Sequence, residues 1–229
     1  MDVFGKALLD YYRNKSVATL WLHNNYAEVE EMPVDLFFRK ETEMPEMELV
    51  ALNHCKGKIL DIGAGAGSHA LALQIRGFDV SALDCSAKAC RIMRNRGIHK
   101  VINDTILKFS DKKYDTLIML MNGIGLTQNI DGLKQFLLKA KDMLHPGGQL
   151  IFDSSNISYL YEGIAFPEGK YYGEISYRYE YKSQLGNWFS WLYIDKFLLE
   201  KIAVELGWEM NTLFEDNLDQ YLIKLTIIE

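Results

Sequence analysis

The chain has 229 residues, 48% of them hydrophobic, with 31 acidic against 25 basic side chains and a net charge of -6. That is enough apolar material for one domain with a sizeable core, and it lacks the basic field by which proteins hold nucleic-acid phosphates. Three cysteines without a C-x-x-C pair and five histidines without paired ligand spacing argue against a disulfide framework and a dedicated metal site.

Asp2 to Asn14 carries Val3, Phe4, Ala7, Leu8 and Tyr11 at helical spacing. Its charges at Asp2, Lys6 and Asp10 fit neither a secretory leader nor a membrane span, and no later apolar run reaches the roughly 18 residues a span needs. The expectation is a cytoplasmic protein with no membrane partner. From Ser16 to Pro45 the pattern is irregular but rich in large aromatics, Trp21, Tyr26 and Phe37-Phe38 among them, so the segment is expected to pack over the rim of the core or over a substrate. Glu46 to Leu52 reads as a short helix.

Lys58 to Ile62 is short, apolar and partly β-branched, as a buried parallel strand is, and it opens into Gly63, Gly65 and Gly67 before the helix His69 to Arg76. The period then alternates: strand Phe78 to Leu83, helix Ser86 to Arg96, strands Lys100 to Asn103 and Tyr114 to Met121, helix Asp131 to Leu144, strand Gln149 to Asp153. Lys88, Arg91, Arg94 and Arg96 form a basic stripe that reads as a solvated face. Tyr171 to Tyr193 holds nine aromatic residues and alternates like an antiparallel hairpin, with Gly186-Asn187 as its turn. Asp195 is placed to cap a last helix, and Trp208 to Phe214 with Gln220 to Ile228 read as closing strands.

Glycines at these positions let a ligand lie against bare backbone, in the crevice where open α/β sheets bind theirs. Asp84 ends the second strand 21 residues after Gly63, where a carboxylate can accept both hydroxyls of a ribose. Its plainer role is to cap the helix beginning near Ser86. Asp104 follows on the same crevice edge.

Together these residues resemble the class I S-adenosylmethionine-dependent methyltransferases. Leu60-Asp61-Ile62-Gly63-Ala64-Gly65-Ala66-Gly67 is similar to their first motif and Asp84 to the acid ending their second strand. Asn103-Asp104 resembles the adenine-contacting position, Asp115 to Asn122 the fourth-strand motif, and Leu144 to Gly148 the turn before strand five. The resemblance implies a Rossmann-like α/β fold with a seven-stranded mixed sheet and an antiparallel closing hairpin. In that frame one methyltransferase domain, residues 1–229, comprises an N-terminal helical cap (1–55), a cofactor-binding core (56–153), an inserted aromatic hairpin (171–194) and closing elements (195–229). S-adenosylmethionine would be the cofactor. By the same resemblance Asp61, Gly63, Ala64, Gly65 and Gly67 border its methionine end, Asp84 with Cys85 its ribose, Asn103 and Asp104 its adenine, and Asn122 its methionine or its reacting sulfonium; the plainer reading of Asn122 is a strand-end amide satisfied by backbone.

Asn122-Gly123-Ile124-Gly125 departs from the Asn/Asp-Pro-Pro-aromatic motif of enzymes that methylate nucleic-acid amines, and no Pro-Cys pair marks a cytosine nucleophile. The acceptor is therefore expected to be a small molecule. Tyr11, His23 and Asp153 are the candidates for a base, which transfer needs only if the acceptor must lose a proton. The aromatic hairpin is read as a lid, as a homodimer surface or as a hairpin packed on its own sheet. An NAD(P)-dependent oxidoreductase and a non-catalytic S-adenosylmethionine-binding protein remain as other readings.

Overall fold

The structure is a computed structural model and describes residues 1–13, 18–110 and 113–228. Asn14 and Ser16, which bound two of the segments expected above, lie outside the described residues, as does Glu229 at the end of the expected domain. The helices are α1 (Val3–Tyr12), α2 (Glu46–His54), α3 (Ser68–Ile75), α4 (Ala87–Asn95), α5 (Ile130–Met143) and α6 (Lys196–Glu205). The strands are β1 (Leu20–Asn24), β2 (Glu30–Glu31), β3 (Lys58–Ile62), β4 (Asp79–Asp84), β5 (Lys100–Asn103), β6 (Tyr114–Met119), β7 (Leu144–Ser155), β8 (Glu174–Tyr181), β9 (Gln184–Leu185), β10 (Phe189–Leu192), β11 (Trp208–Glu215) and β12 (Gln220–Ile227). Seven of them form a mixed sheet in the order β11-β12-β7-β6-β3-β4-β5, the expected α/β arrangement, and a smaller sheet runs β10-β8-β1-β2 with β9 also on β8. The chain divides into two compact units, one of residues 1–44, 61–109 and 176–189 and one of residues 45–60, 110–175 and 190–229.

In the first unit β4 and β5 pair in parallel, Asp84 standing opposite Asn103. The helix between them, α4, starts at Ser86, whose side chain accepts the Ala89 N–H and caps it. Its Ala89 and Ile92 share a buried cluster with Val3, Ala7 and Leu8 of α1. Small residues let the two helices approach closely: a Cβ on Gly5 would stand 2.4 Å from Ser86 Oγ.

The N-terminal segment differs from a purely helical cap. Leu20 to Asn24 pairs as a strand with Tyr177 to Tyr181, in the register Leu22 opposite Tyr179 and His23 opposite Arg178. Leu20 and Tyr181 belong to the cluster of α1, with Tyr179 packed against it, so one face of this small sheet is apolar and rests on that helix. The turn after β8 also falls elsewhere than Gly186-Asn187. Lys182 and Ser183 form it, both with positive φ (51° and 58°). Lys182 Nζ donates to Asp10 Oδ2 at 2.6 Å, so α1 holds a non-glycine residue in a region that glycine usually fills.

In the second unit β6 and β7 run in parallel, and β12 runs antiparallel between β7 and β11. The sheet is packed by fully buried Phe136 and Phe152 together with Trp208, each contributing roughly 1.5–3 kcal/mol by burial. Strand β7 begins at Leu144, earlier than expected, because the residues of the Pro-Gly-Gly turn are absorbed as an irregularity in its pairing with β6. Asp195 caps α6 by accepting the Leu198 N–H, as its position predicted.

Candidate functional site

The glycine-rich turn lies in the first unit. Gly63 N and Ala64 N both donate to Leu83 O, which bends the chain at the end of β3 against the end of β4. Gly63, Gly65 and Gly67 all have positive φ (75°, 57° and 83°), a conformation that disfavours side chains. Space imposes a second demand at Gly67, where a Cβ would meet Ile98 Cδ1 at 2.3 Å.

Two carboxylates hold the turn from opposite sides. Asp61 is 2% exposed, and its Oδ2 accepts the Ala70 N–H in the first turn of α3. Burial pushes its pKa up to about 6, partly opposed by His69. Asp84 Oδ2 accepts Gly65 N at 2.9 Å and its Oδ1 accepts Ser86 N at 2.7 Å. The plainer role considered for Asp84 therefore holds only in part: it orders the entry to α4, while Ser86 supplies the cap. Each oxygen of a carboxylate can accept two donors, so both keep capacity for a hydroxyl. Burial raises the Asp84 pKa as well.

Along the same edge the Asn103 amide donates to Asp84 O and Cys85 O, clasping the ends of β4 and β5. Cys85 is exposed and its thiol is raised by desolvation and by Asp84. Asp104 Oδ1 accepts its neighbour's N–H, from Thr105. The structure thus brings Asp61, Gly63, Ala64, Gly65, Gly67, Asp84, Cys85, Asn103 and Asp104 together within one unit.

An aromatic row covers this turn. The Phe37 ring approaches to 3.5 Å of where a Cβ on Gly65 would stand. It meets Phe4 edge-on at 4.9 Å, Phe4 stacks on Tyr179 at 5.2 Å, and Tyr179 stacks on Phe189 at 5.2 Å. The aromatics of segments 16–45 and 171–193 stand out in the sequence, but not that Phe4 of α1 joins them into one stack.

The three candidate bases are dispersed. Tyr11 packs its ring 4.8 Å from Phe38 beside the row. His23 lies opposite Arg178, on the face of the small sheet away from Tyr179 and the glycine turn, and its Nε2 is 2.8 Å from Glu180 Oε2. Asp153 lies in the second unit, 2% exposed, with Oδ2 accepting the N–H of Asn122 at 2.7 Å. Asn122 itself has a left-handed backbone at the start of the turn Gly123–Thr127. There the Trp191 indole packs so closely on Gly125 that a Cβ would stand 2.0 Å from its Nε1.

Among the described residues no group of histidines, cysteines and carboxylates could hold a metal ion, and no helix is long and apolar enough to cross a membrane.

Residues 59–148 match a family described as a methyltransferase domain. A demethylmenaquinone methyltransferase of Tropheryma whipplei is 30% identical over 99 residues, covering 41% of this chain and 40% of that protein; the chain thus matches about two fifths of that relative's length. The CcbJ methyltransferase of Streptomyces caelestis is 15% identical over 86% of this chain and all of its own, with a TM-score of 0.64, which speaks for the fold alone. An S-adenosylmethionine-dependent methyltransferase of Bacteroides fragilis, solved with S-adenosylhomocysteine, is 35% identical over all of this chain and 95% of its own, with a TM-score of 0.92. With a glycine turn, a strand-end aspartate and a likeness that runs the whole length of the chain, this protein belongs to the class I S-adenosylmethionine-dependent methyltransferases.

Proposed function

We propose that the chain moves a methyl group from S-adenosylmethionine to a small-molecule acceptor in the cytoplasm, with the cofactor lying along the glycine turn and the ends of β4 and β5. The observation that carries this reading is Asp84, tied to Gly65 N and Ser86 N with acceptor capacity left on both oxygens. In this assignment Asp84 accepts the ribose hydroxyls with Cys85 beside it, and Asn103 and Asp104 border the adenine. Gly63, Ala64, Gly65 and Gly67 offer backbone to the methionine end near Asp61. The bound cofactor supplies an activated sulfonium methyl, so the protein contributes chiefly alignment and the exclusion of water. Phe37 and Phe4 serve the second task at Gly65.

The net charge of -6 supports a small molecule over nucleic acid, and the three free cysteines suit a reducing compartment. Leu185 and Trp188 are exposed in the aromatic segment 171–194 and support its use as a homodimer surface; light scattering that returns only monomer at high protein concentration removes that part.

Calorimetry tests the cofactor: S-adenosylmethionine or its demethylated product should bind in the micromolar range, and tight binding of NADH with neither of these sinks the reading. Metabolite extracts screened with labelled methyl donor should yield a methylated product. No incorporation from any extract, with cofactor bound, identifies a non-catalytic binding protein instead.

A further inference from the structure

Arg96 was read from sequence as part of a solvated basic stripe, and the structure turns it inward. Its Nη1 donates to Ala66 O, inside the glycine turn, at 2.7 Å and reaches Ser68 Oγ at 3.4 Å. Its Nη2 reaches Phe38 O at 3.4 Å, and the guanidinium carbon sits 5.3 Å from the centre of the Phe38 ring. One planar cation thereby joins the turn to the segment 33–44. Two further ties run beside it. Ser68 Oγ donates to Phe37 O at 2.7 Å, and Arg76 grips Glu41 through Nε and Nη2 at 3.1 and 2.7 Å. The stretch from Phe37 to Glu41 is therefore a strap, pinned at Glu41 by Arg76 and at Phe37 and Phe38 by Ser68 and Arg96, and its pinned start holds the Phe37 ring over Gly65. A molecule lying on the bare backbone of Gly65 would meet that ring.

We propose that Arg96 is a positioning residue for the cofactor, setting the Ala66 carbonyl of the glycine turn while latching the Phe37–Phe38 strap that gates cofactor release. The inference rests on the reading of the glycine turn as the cofactor site. It has a kinetic signature. Losing the latch should speed release more than it disturbs the chemical step, because Arg96 acts through the turn and the strap.

The test uses the full-length protein, with S-adenosylhomocysteine as ligand and stopped-flow displacement as readout. Arg96→Met should raise the dissociation rate about tenfold and Arg96→Lys by less, since lysine keeps the charge but not the fork of donors. Hydrogen exchange of residues 33–44 should slow on ligand binding in the wild type and much less in Arg96→Met. A purely structural arginine would lower thermal stability and leave the dissociation rate unchanged. Asp84→Ala is the control that separates the two claims. If it leaves affinity intact, the reading of the turn as cofactor site falls; if it weakens binding while Arg96→Met and Ser68→Ala release ligand within twofold of wild type, only the latch is overturned. Should Arg96→Met fail to fold, Ser68→Ala decides alone: faster release supports the latch and an unchanged rate overturns it.

Discussion

The glycine turn is shaped by residues near it in sequence: Gly65 to Asp84 spans 19 positions and Ala70 to Asp61 spans nine. Its cover is assembled the other way. Lys6 reaches Gln184 across 178 positions, Lys182 reaches Asp10 across 172, and His23 reaches Glu180 across 157. Short contacts close small loops and form early and cheaply, whereas the cover must close most of the chain before its strands pair. The turn is therefore expected to survive excursions in which β1 and β8 part, and the cover to be the part of the first unit that loosens first.

The sharpest way to break this contrast is Gly67→Ala. The added Cβ faces both a left-handed backbone and Ile98, so the cost should be about 2–4 kcal/mol of stability by urea titration. A cost under about 1 kcal/mol would mean that the turn is no more constrained than its cover.

Next in size is Asp61. Its pKa is near 6 when folded and takes an ordinary carboxylate value when unfolded. Between those values the folded chain holds more protons than the unfolded one, so this group makes stability fall as pH rises from about 4 to about 6, with the loss complete above. Asparagine keeps an acceptor for Ala70 N without a charge to bury. Asp61→Asn should therefore exceed wild type by about 2–3 kcal/mol at pH 7, with the gain vanishing near pH 4. A gain independent of pH would refute the assignment. It would come with weaker cofactor binding if Asp61 serves the methionine end.

Asp84→Ala should weaken cofactor binding by roughly 1–3 kcal/mol through lost charge-assisted hydrogen bonds, with the fold retained. The smallest effect is expected in the cover: Asp10→Asn, which loosens the ties to Lys182 and Tyr181, should lower stability by about 1 kcal/mol or less. If it instead weakens cofactor binding as much as Asp84→Ala does, turn and cover act as one body.

The same difference in range explains what could be read from sequence. The strand, glycines and helix of 58–76, the aspartate ending β4 and the closing strands β11 and β12 follow from local period and spacing, and all are present. Three features escaped. The pairing of Leu20 to Asn24 with β8 depends on a partner more than 150 residues away, which no local period encodes. Arg96 stands just past the end of the helix that carries exposed Arg91 and Arg94, and its contacts with Ala66 O, Ser68 Oγ, Phe38 O and the Phe38 ring distinguish it from them. The shift of the turn from Gly186-Asn187 to Lys182-Ser183 has the same origin, because Asp10 compensates for the missing glycine.

Strand β2 closes the small sheet at one edge, and it consists of two residues, Glu30 and Glu31, both exposed. An open edge offers unpaired backbone groups to any passing strand, and shortness with like charge is a defence against such recruitment. Here the defence is two adjacent like-charged side chains on a strand too short to pair far. Replacing both with glutamine should accordingly promote self-association along this edge, seen by light scattering, independently of any effect on the glycine turn.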